Sequence, residues 1–322
     1  MDPTRIGIRT RDLAALGVTR PRQLGDDWVR TEHGVHVPAY AVESPEARVI
    51  ATASALLGDA NALGGWAALA VHGVPFFDLR GYGPQVFVHC LPGSQLRARS
   101  TIRPFEGLVH PDELTHVGDI GCATIARAAF DEMRMARTVD AAVVVADMAT
   151  SRVTGGGRTS LAAIGQVIAS HHKVRGIVRA RAALALACER SGSPWETRLR
   201  RFTEALLATR LRVNVPVFDL DGNLLGIADL LDEETGMVLE SDGAYHREID
   251  QHRTDNIREE LMEDAGLAVG RFTSGDHGDR SALVGRIMQT RARALRSIVR
   301  NWTTEPPDWW WTWEPGRRYW PR

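Results

Sequence analysis

Lysine is nearly missing from this 322-residue chain: Lys173 is the single one among 39 lysines and arginines. No lysine ammonium is therefore at hand for any site that excludes residue 173. Cysteine is scarce too. Cys90, Cys122 and Cys188 are far apart, odd in number and outside any Cys-x-x-Cys pattern. That spacing argues against a disulfide framework or a zinc site and fits reduced thiols. No apolar run approaches the ~18 residues of a membrane span, and no charged-then-apolar leader opens the chain. A cytoplasmic protein without a membrane partner is expected. A charge excess is also lacking: the formal net charge is −1, so nothing attracts nucleic acid globally and any DNA contact must come from local arginine clusters.

The length suggests two or three domains, with ample apolar content for separate cores. One constellation has spacing suited to chemistry: Asp229, Glu240, Asp242 and His246 in GIADLLDEETGMVLESDGAYHR. Ile227–Leu231 reads as a buried strand and Met237–Glu240 as another, with a polar turn from Asp232 to Gly236 between them. Each strand carries a carboxylate among apolar neighbours, where an unpaired charge is costly. A cation between Asp229 and Glu240 would offset that cost. Oxygen ligands suit a hard ion such as Mg²⁺ or Mn²⁺, which keeps water and phosphate oxygens in its remaining positions.

Arginines cluster on either side. Arg198, Arg200, Arg201, Arg210 and Arg212 flank one helix, and Arg286, Arg291, Arg293, Arg296 and Arg300 line the last long one with no acid among them. Helical spacing could align several guanidinium groups on one side of the latter.

The acidic segment is similar to the nuclease-like domain of very-short-patch-repair-type endonucleases, in the PD-(D/E)xK superfamily. Upstream, Ser193–Arg200 looks like that family's opening helix with its inward-facing Glu196. Downstream, Asp255–Arg258, Gly266–Val269 and Arg271–Thr273 look like its Asp-x-x-Arg helix and closing strand. The resemblance spans roughly residues 193–300 and implies an αβββαβ core of restriction-endonuclease type. It also implies roles: Asp229 and Glu240 as metal ligands, Glu196 orienting the metal or its water, Asp242 in support, and Arg198 and Arg258 toward DNA. The superfamily's usual lysine, two residues after the second acid, is Asp242 here. The repair-type branch uses histidine, and His246 stands where that branch places one; an imidazole with a pKa near ~6.5 can move a proton.

At the N-terminus, Arg9–Thr19 reads as a short helix with Thr10 as its cap, and Thr19–Leu24 as a second helix. Trp28–Thr31 and Gly34–Pro38 follow as a β-wing. This order resembles the winged helix-turn-helix of AbiEi-like type IV antitoxins and of actinobacterial two-part proteins that join it to the nuclease-like domain. In that arrangement the second helix reads the major groove, which would turn Thr19, Arg20, Arg22 and Gln23 toward DNA.

Between these ends, Ala47–Gly73 reads as Ala/Leu-rich helix, Gln85–Cys90 as a strand, and 124–147 and 161–188 as helices, with no catalytic set and with His171-His172-Lys173 as a surface turn. In the last stretch Trp302, Trp309, Trp310, Trp311, Trp313 and Trp320 lie among prolines, which suggests an extended tail docked on the protein itself or on a partner.

The expected organisation is mixed α/β. It comprises a winged helix (1–46), an α/β middle region (47–190), a nuclease-like domain (191–300) and a Trp/Pro-rich tail (301–322). The expected activity is DNA-binding, divalent-metal-dependent endonuclease action in repair or defence. The alternative is a non-enzymatic DNA-binding regulator or antitoxin-like protein on a degenerate nuclease fold.

Overall fold

The computed structural model describes residues 7–16, 25–42, 44–58, 60–242 and 258–319. Its described residues form a mixed α/β protein with three sheets. No helix among them is long and apolar enough to cross a membrane. The chain divides into two compact units: residues 1–150 with 155–187, and 151–154 with 188–322. The N-terminal segment and the middle region thus share one unit, while the tryptophan-rich end belongs to the other.

The first unit opens with β1 (Ile8–Arg9), a 3₁₀ turn over Thr10–Leu16, β2 (Trp28–Glu32) and β3 (Val35–Pro38), giving an antiparallel sheet of order β1-β3-β2. The hairpin expected at 28–38 is present. The first expected α-helix is a 3₁₀ segment, and residues 17–24, with Thr19, Arg20, Arg22 and Gln23, lie outside the described residues.

The continuous helix expected over 47–73 is broken in two. α1 (Pro45–Leu57) starts on a Ser44 cap and stops at Gly58, whose φ of 60° L side chains rarely adopt. A strand, β4 (Asn61–Leu63), intervenes before α2 (Gly65–Val71). After the single turn α3 (Leu79–Tyr82) come β5 (Val86–Cys90), β6 (Ile102–Phe105), β7 (Leu114–Val117) and β8 (Ile120–Ala123). With β4 they form a sheet of order β6-β5-β4-β8-β7. Helices α4 (Ile125–Met135), α5 (Val139–Thr150), α6 (Leu161–Ser170) and α7 (Ile177–Leu184) complete the unit around one apolar core that includes Trp66, Phe130 and Met133.

The second unit runs α8 (Pro194–Leu207), β9 (Arg212–Asp219), β10 (Leu224–Asp232), β11 (Met237–Asp242), the described part of a helix α9 over 258–264, β12 (Ala268–Thr273), α10 (Arg280–Arg296) and β13 (Trp302–Thr303). The sheet order is β12-β11-β10-β9-β13, antiparallel except that β11 and β12 run parallel. One apolar cluster joins it to α8 and α10 through Leu199, Leu230, Leu239 and Ile287. The other, with Val215, Ala228, Val238 and Met262, joins it to α9.

The described part of the tail holds a short strand and two short helices and is not extended throughout. α11 (Asp308–Thr312) begins after Pro307, and α12 (Glu314–Tyr319) carries Pro315 at its second position. Proline costs nothing in a first helical turn, where its missing N–H has no intrahelical acceptor. Trp302 and Trp310 are buried, with the Trp310 ring 5.3 Å from Phe218, so the end of the chain docks on its own unit.

Candidate functional site

The acidic site is built where the regular alternation of two strands fails. β9 and β10 pair as Ala228↔Val215 and then Leu230↔Val213, with Asn214 and Asp229 between. Val215 and Ala228 pack with α9, whereas Val213 and Leu230 pack with α8 and α10. Both strands therefore change face at this step. Asn214 has a φ of 46°, a left-handed conformation that asparagine tolerates better than its apolar neighbours would. Its Nδ2 donates to Glu196 Oε2 at 2.8 Å and to the Arg190 carbonyl at 2.8 Å.

Glu196 is set by the start of α8. Ser193 caps that helix by accepting from Glu196 N at 3.1 Å, and Pro194 opens its first turn. The Glu196 carboxylate accepts from Gly192 N at 2.7 Å as well as from Asn214. Burial, then the nearby charge of Asp229, raises its pKa to about 7 despite those donors.

Asp229 sits in the interior of β10, with Leu230, Leu231 and Asp232 following it, so it is not a strand-end turn cap. β10 and β11 pair from Asp232↔Met237 to Leu230↔Leu239. The same register carried one step further sets Asp229 opposite Glu240, while β11 continues against β12 as far as Asp242↔Thr273. Asp229 Oδ2 accepts from Ser241 N at 2.8 Å. Two like charges at facing positions repel one another.

Glu240 has a side chain only 13% exposed. Burial, then Asp229, pushes its pKa up to about 8, although the Arg258 guanidinium opposes the shift. Arg258 binds Glu240 Oε2, whereas the buried Glu240 Oε1 has no hydrogen-bond partner among the described residues. A glycine allows that reach: a Cβ on Gly226 would lie 2.5 Å from Arg258 Cγ and 2.8 Å from Met262 Cε.

Glu196, Asp229 and Glu240 are thus brought together from α8, β10 and β11. Asp242 ends β11 in its backbone, and its side chain, like the whole of His246, lies outside the described residues. Arg198 stacks on Trp195, 4.5 Å from the ring centroid. Asn214, Gly192 and Gly226 escaped the sequence reading. The signal for Asn214 was a single amide inside the apolar run Val213–Phe218.

Among the described residues, five of the ten clustered arginines face acids. Arg200 and Arg201 reach Glu204 at 3.3 and 2.8 Å, and Arg212 reaches Glu233 at 2.8 Å. Arg286 binds Asp276, and Arg293 lies 3.5 Å from Glu263.

The first unit holds a different buried charge cluster. Asp131 receives Arg127 Nε and Arg134 Nε, each at 2.9 Å, and faces His89 Nε2 at 2.9 Å. Burial alone would raise its pKa, but those three neighbours outweigh burial and hold it well below the usual carboxylate range. His171 is buried, not a surface turn. Its Nδ1 donates to the Val167 carbonyl at 2.8 Å, leaving Nε2 to accept from Arg127 Nη1 at 2.9 Å. His110, Glu113 and His171 place three donor atoms within 4.8 Å of one another. Arg127 already supplies positive charge there, at 2.5 Å from Glu113.

No family model, curated protein or solved structure matches this chain.

Proposed function

We propose that the chain is a DNA-binding, divalent-metal-dependent endonuclease whose site is formed by Asp229, Glu240 and Glu196. The observation that carries this reading is Glu240 Oε1, a buried carboxylate oxygen without a hydrogen-bond partner among the described residues, opposite a second acid. An orphan acceptor in that setting costs free energy that a bound cation would recover. The order helix, three antiparallel strands, helix and a strand parallel to the third supports an αβββαβ nuclease-type core. The small sheet β1-β3-β2 supports a winged N-terminal segment.

Asp229 and Glu240 would hold Mg²⁺ or Mn²⁺, with Glu196 able to take a further position or a bound water. An ion there would polarise a phosphodiester oxygen and lower the pKa of attacking water. Glu196, with its pKa near 7, can accept or return a proton at that water at neutral pH. Arg258 neutralises one Glu240 oxygen and offers its guanidinium fork to a phosphate. His246 would protonate the leaving oxygen, and Asp242 would steady the ligands.

Asp242 at the position of the superfamily's lysine favours a second reading, a DNA-binding regulator that keeps the nuclease fold as scaffold. Incubation of the full chain with supercoiled, linear, mismatched and single-stranded DNA in Mg²⁺, Mn²⁺ or chelator separates the two. Cleavage that chelator stops and Asp229→Ala removes supports the enzyme; binding without cleavage under every condition supports the regulator.

A further inference from the structure

A second concentration of charge lies in the first unit. Arg9, Arg11, Arg97 and Arg99 line a cavity of about 380 Å³ beside the last turn of α1, with Asn61 and Ser94 in its wall. A helix C-terminus ordinarily presents bare carbonyls and repels anions. Here those carbonyls are already met. Arg9 Nε donates to the Ala55 carbonyl at 2.9 Å, Arg9 Nη2 binds the Leu56 carbonyl, and Asn61 Nδ2 binds that of Leu57. The cavity therefore presents donors and positive charge.

Among the described residues, one ion pair offsets that charge. Arg11 lies 3.5 Å from Asp12, but the two side chains are 73% and 57% exposed, so solvent screens the pair. Arg99 donates to the His33 carbonyl at 3.2 Å, and no carboxylate partner is seen for Arg97 or Arg99 among the described residues. Asp59, adjoining the wall in sequence, lies outside those residues. Burial, then the charge of Arg11, lowers the Arg9 pKa; Asp12 opposes that shift and Arg99 adds to it. An anion would relieve such crowding of like charge. A cavity of about 260 Å³ in the second unit makes the contrast: its Arg271, Arg286 and Arg293 are matched by Glu259, Asp276 and Glu263.

We propose that the Arg9/Arg11/Arg97/Arg99 cavity is a phosphate-binding site that takes a backbone phosphate of a nucleic-acid strand. Guanidinium groups match phosphate oxygens in geometry as well as charge. Arg99 also ties the cavity to the turn of the β2–β3 hairpin, so a strand laid along that hairpin would bring its phosphates past the opening. The assignment rests on the DNA-acting reading above. A free phosphate shares the same chemistry, and the test distinguishes the two sources.

The full chain, with chelator present so that cleavage is silent, is titrated against a fluorescein-labelled duplex over a range of NaCl concentrations, and separately against inorganic phosphate. The double variant Arg11→Ala/Arg97→Ala keeps Arg9 and Arg99, which bond to backbone, and an unchanged melting temperature verifies its fold. The expected result is weaker duplex binding and a salt dependence shallower by about 0.9 in log–log slope, the value for one phosphate that the variant leaves unneutralised. Arg11→Lys/Arg97→Lys should restore that slope, because it keeps the charges. A variant that binds duplex with the wild-type slope overturns the nucleic-acid assignment, and saturable binding of inorganic phosphate that disappears in that variant would reassign the cavity to a free phosphate. If the wild type binds no DNA at all, the DNA-acting reading falls as well.

Discussion

Each unit buries charge, and the two clusters balance it in opposite ways. Around Asp131 two arginines and a histidine converge on one carboxylate, which is held strongly acidic. At Glu196, Asp229 and Glu240 three carboxylates come together, with Arg258 paired to Glu240 among the described residues, and two of them are pushed up to about 7 and about 8. The first arrangement supplies its own counter-charge, although His89 Nδ1 and Arg134 Nη2 find no hydrogen-bond partner among the described residues. The second holds more acid than base among the described residues, and under the proposed reading a divalent cation would supply the balance.

The comparison breaks most sharply at the acids. Asp229→Ala and Glu240→Ala are each expected to abolish metal-dependent cleavage while leaving the chain folded, because each removes a ligand together with an unfavourable charge. Full activity in either variant would remove it from the site. Asp131→Ala should do the reverse. It strands Arg127 and Arg134 in the interior, with an expected stability loss of about 3–5 kcal/mol by denaturant titration; a loss under ~1 kcal/mol would show that the cluster is not a closed ionic unit.

His246 sharpens the proton-transfer side. If it serves as the general acid, His246→Ala should slow single turnover by roughly 10² to 10⁴ with metal affinity kept. An unchanged rate at every pH would leave proton transfer to Glu196.

Smaller effects follow from pH. A carboxyl with a raised folded pKa costs stability as pH climbs from its unfolded value, near 4.5, through its folded one, about 8 for Glu240. Asp131 runs oppositely: its stabilisation is present above the ordinary aspartate pKa and lost as pH falls below it. Divalent-ion affinity should therefore rise between about pH 6 and 8, with proton release seen calorimetrically in buffers of different ionisation enthalpy. Affinity independent of pH in that window would mean that the ion does not replace those protons.

The sequence disclosed the parts of this site that are local. Apolar runs around Ile227–Leu231 and Met237–Glu240 announced two strands, and acids within them announced a cost needing compensation. What stayed hidden depends on partners distant in the chain. Asn214 in a run of valines gave no hint that its left-handed backbone would turn two strands over at Asp229. Arg212 read as part of an arginine cluster because Glu233 reaches it only in the folded protein, whereas Glu204 stands four residues from Arg200 on the same helix. His171 read as a surface turn, since nothing nearby in sequence foretold Arg127. Trp310 found its place through Phe218, far earlier in the chain. Short-range pattern sets the strands, and long-range pairing decides which charges remain unmatched.

The central claim is that the charge imbalance at Glu240 is kept for a cation. Thermal melting of the full chain at pH 8, wild type against Glu240→Gln, with chelator and with millimolar Mn²⁺, tests it most directly. In chelator the variant should melt higher, since it lacks the buried charge; added Mn²⁺ should raise the wild-type midpoint, as any ligand specific to the folded state does, and leave the variant nearly unmoved. A wild type indifferent to Mn²⁺, or an equal shift in both proteins, would contradict it.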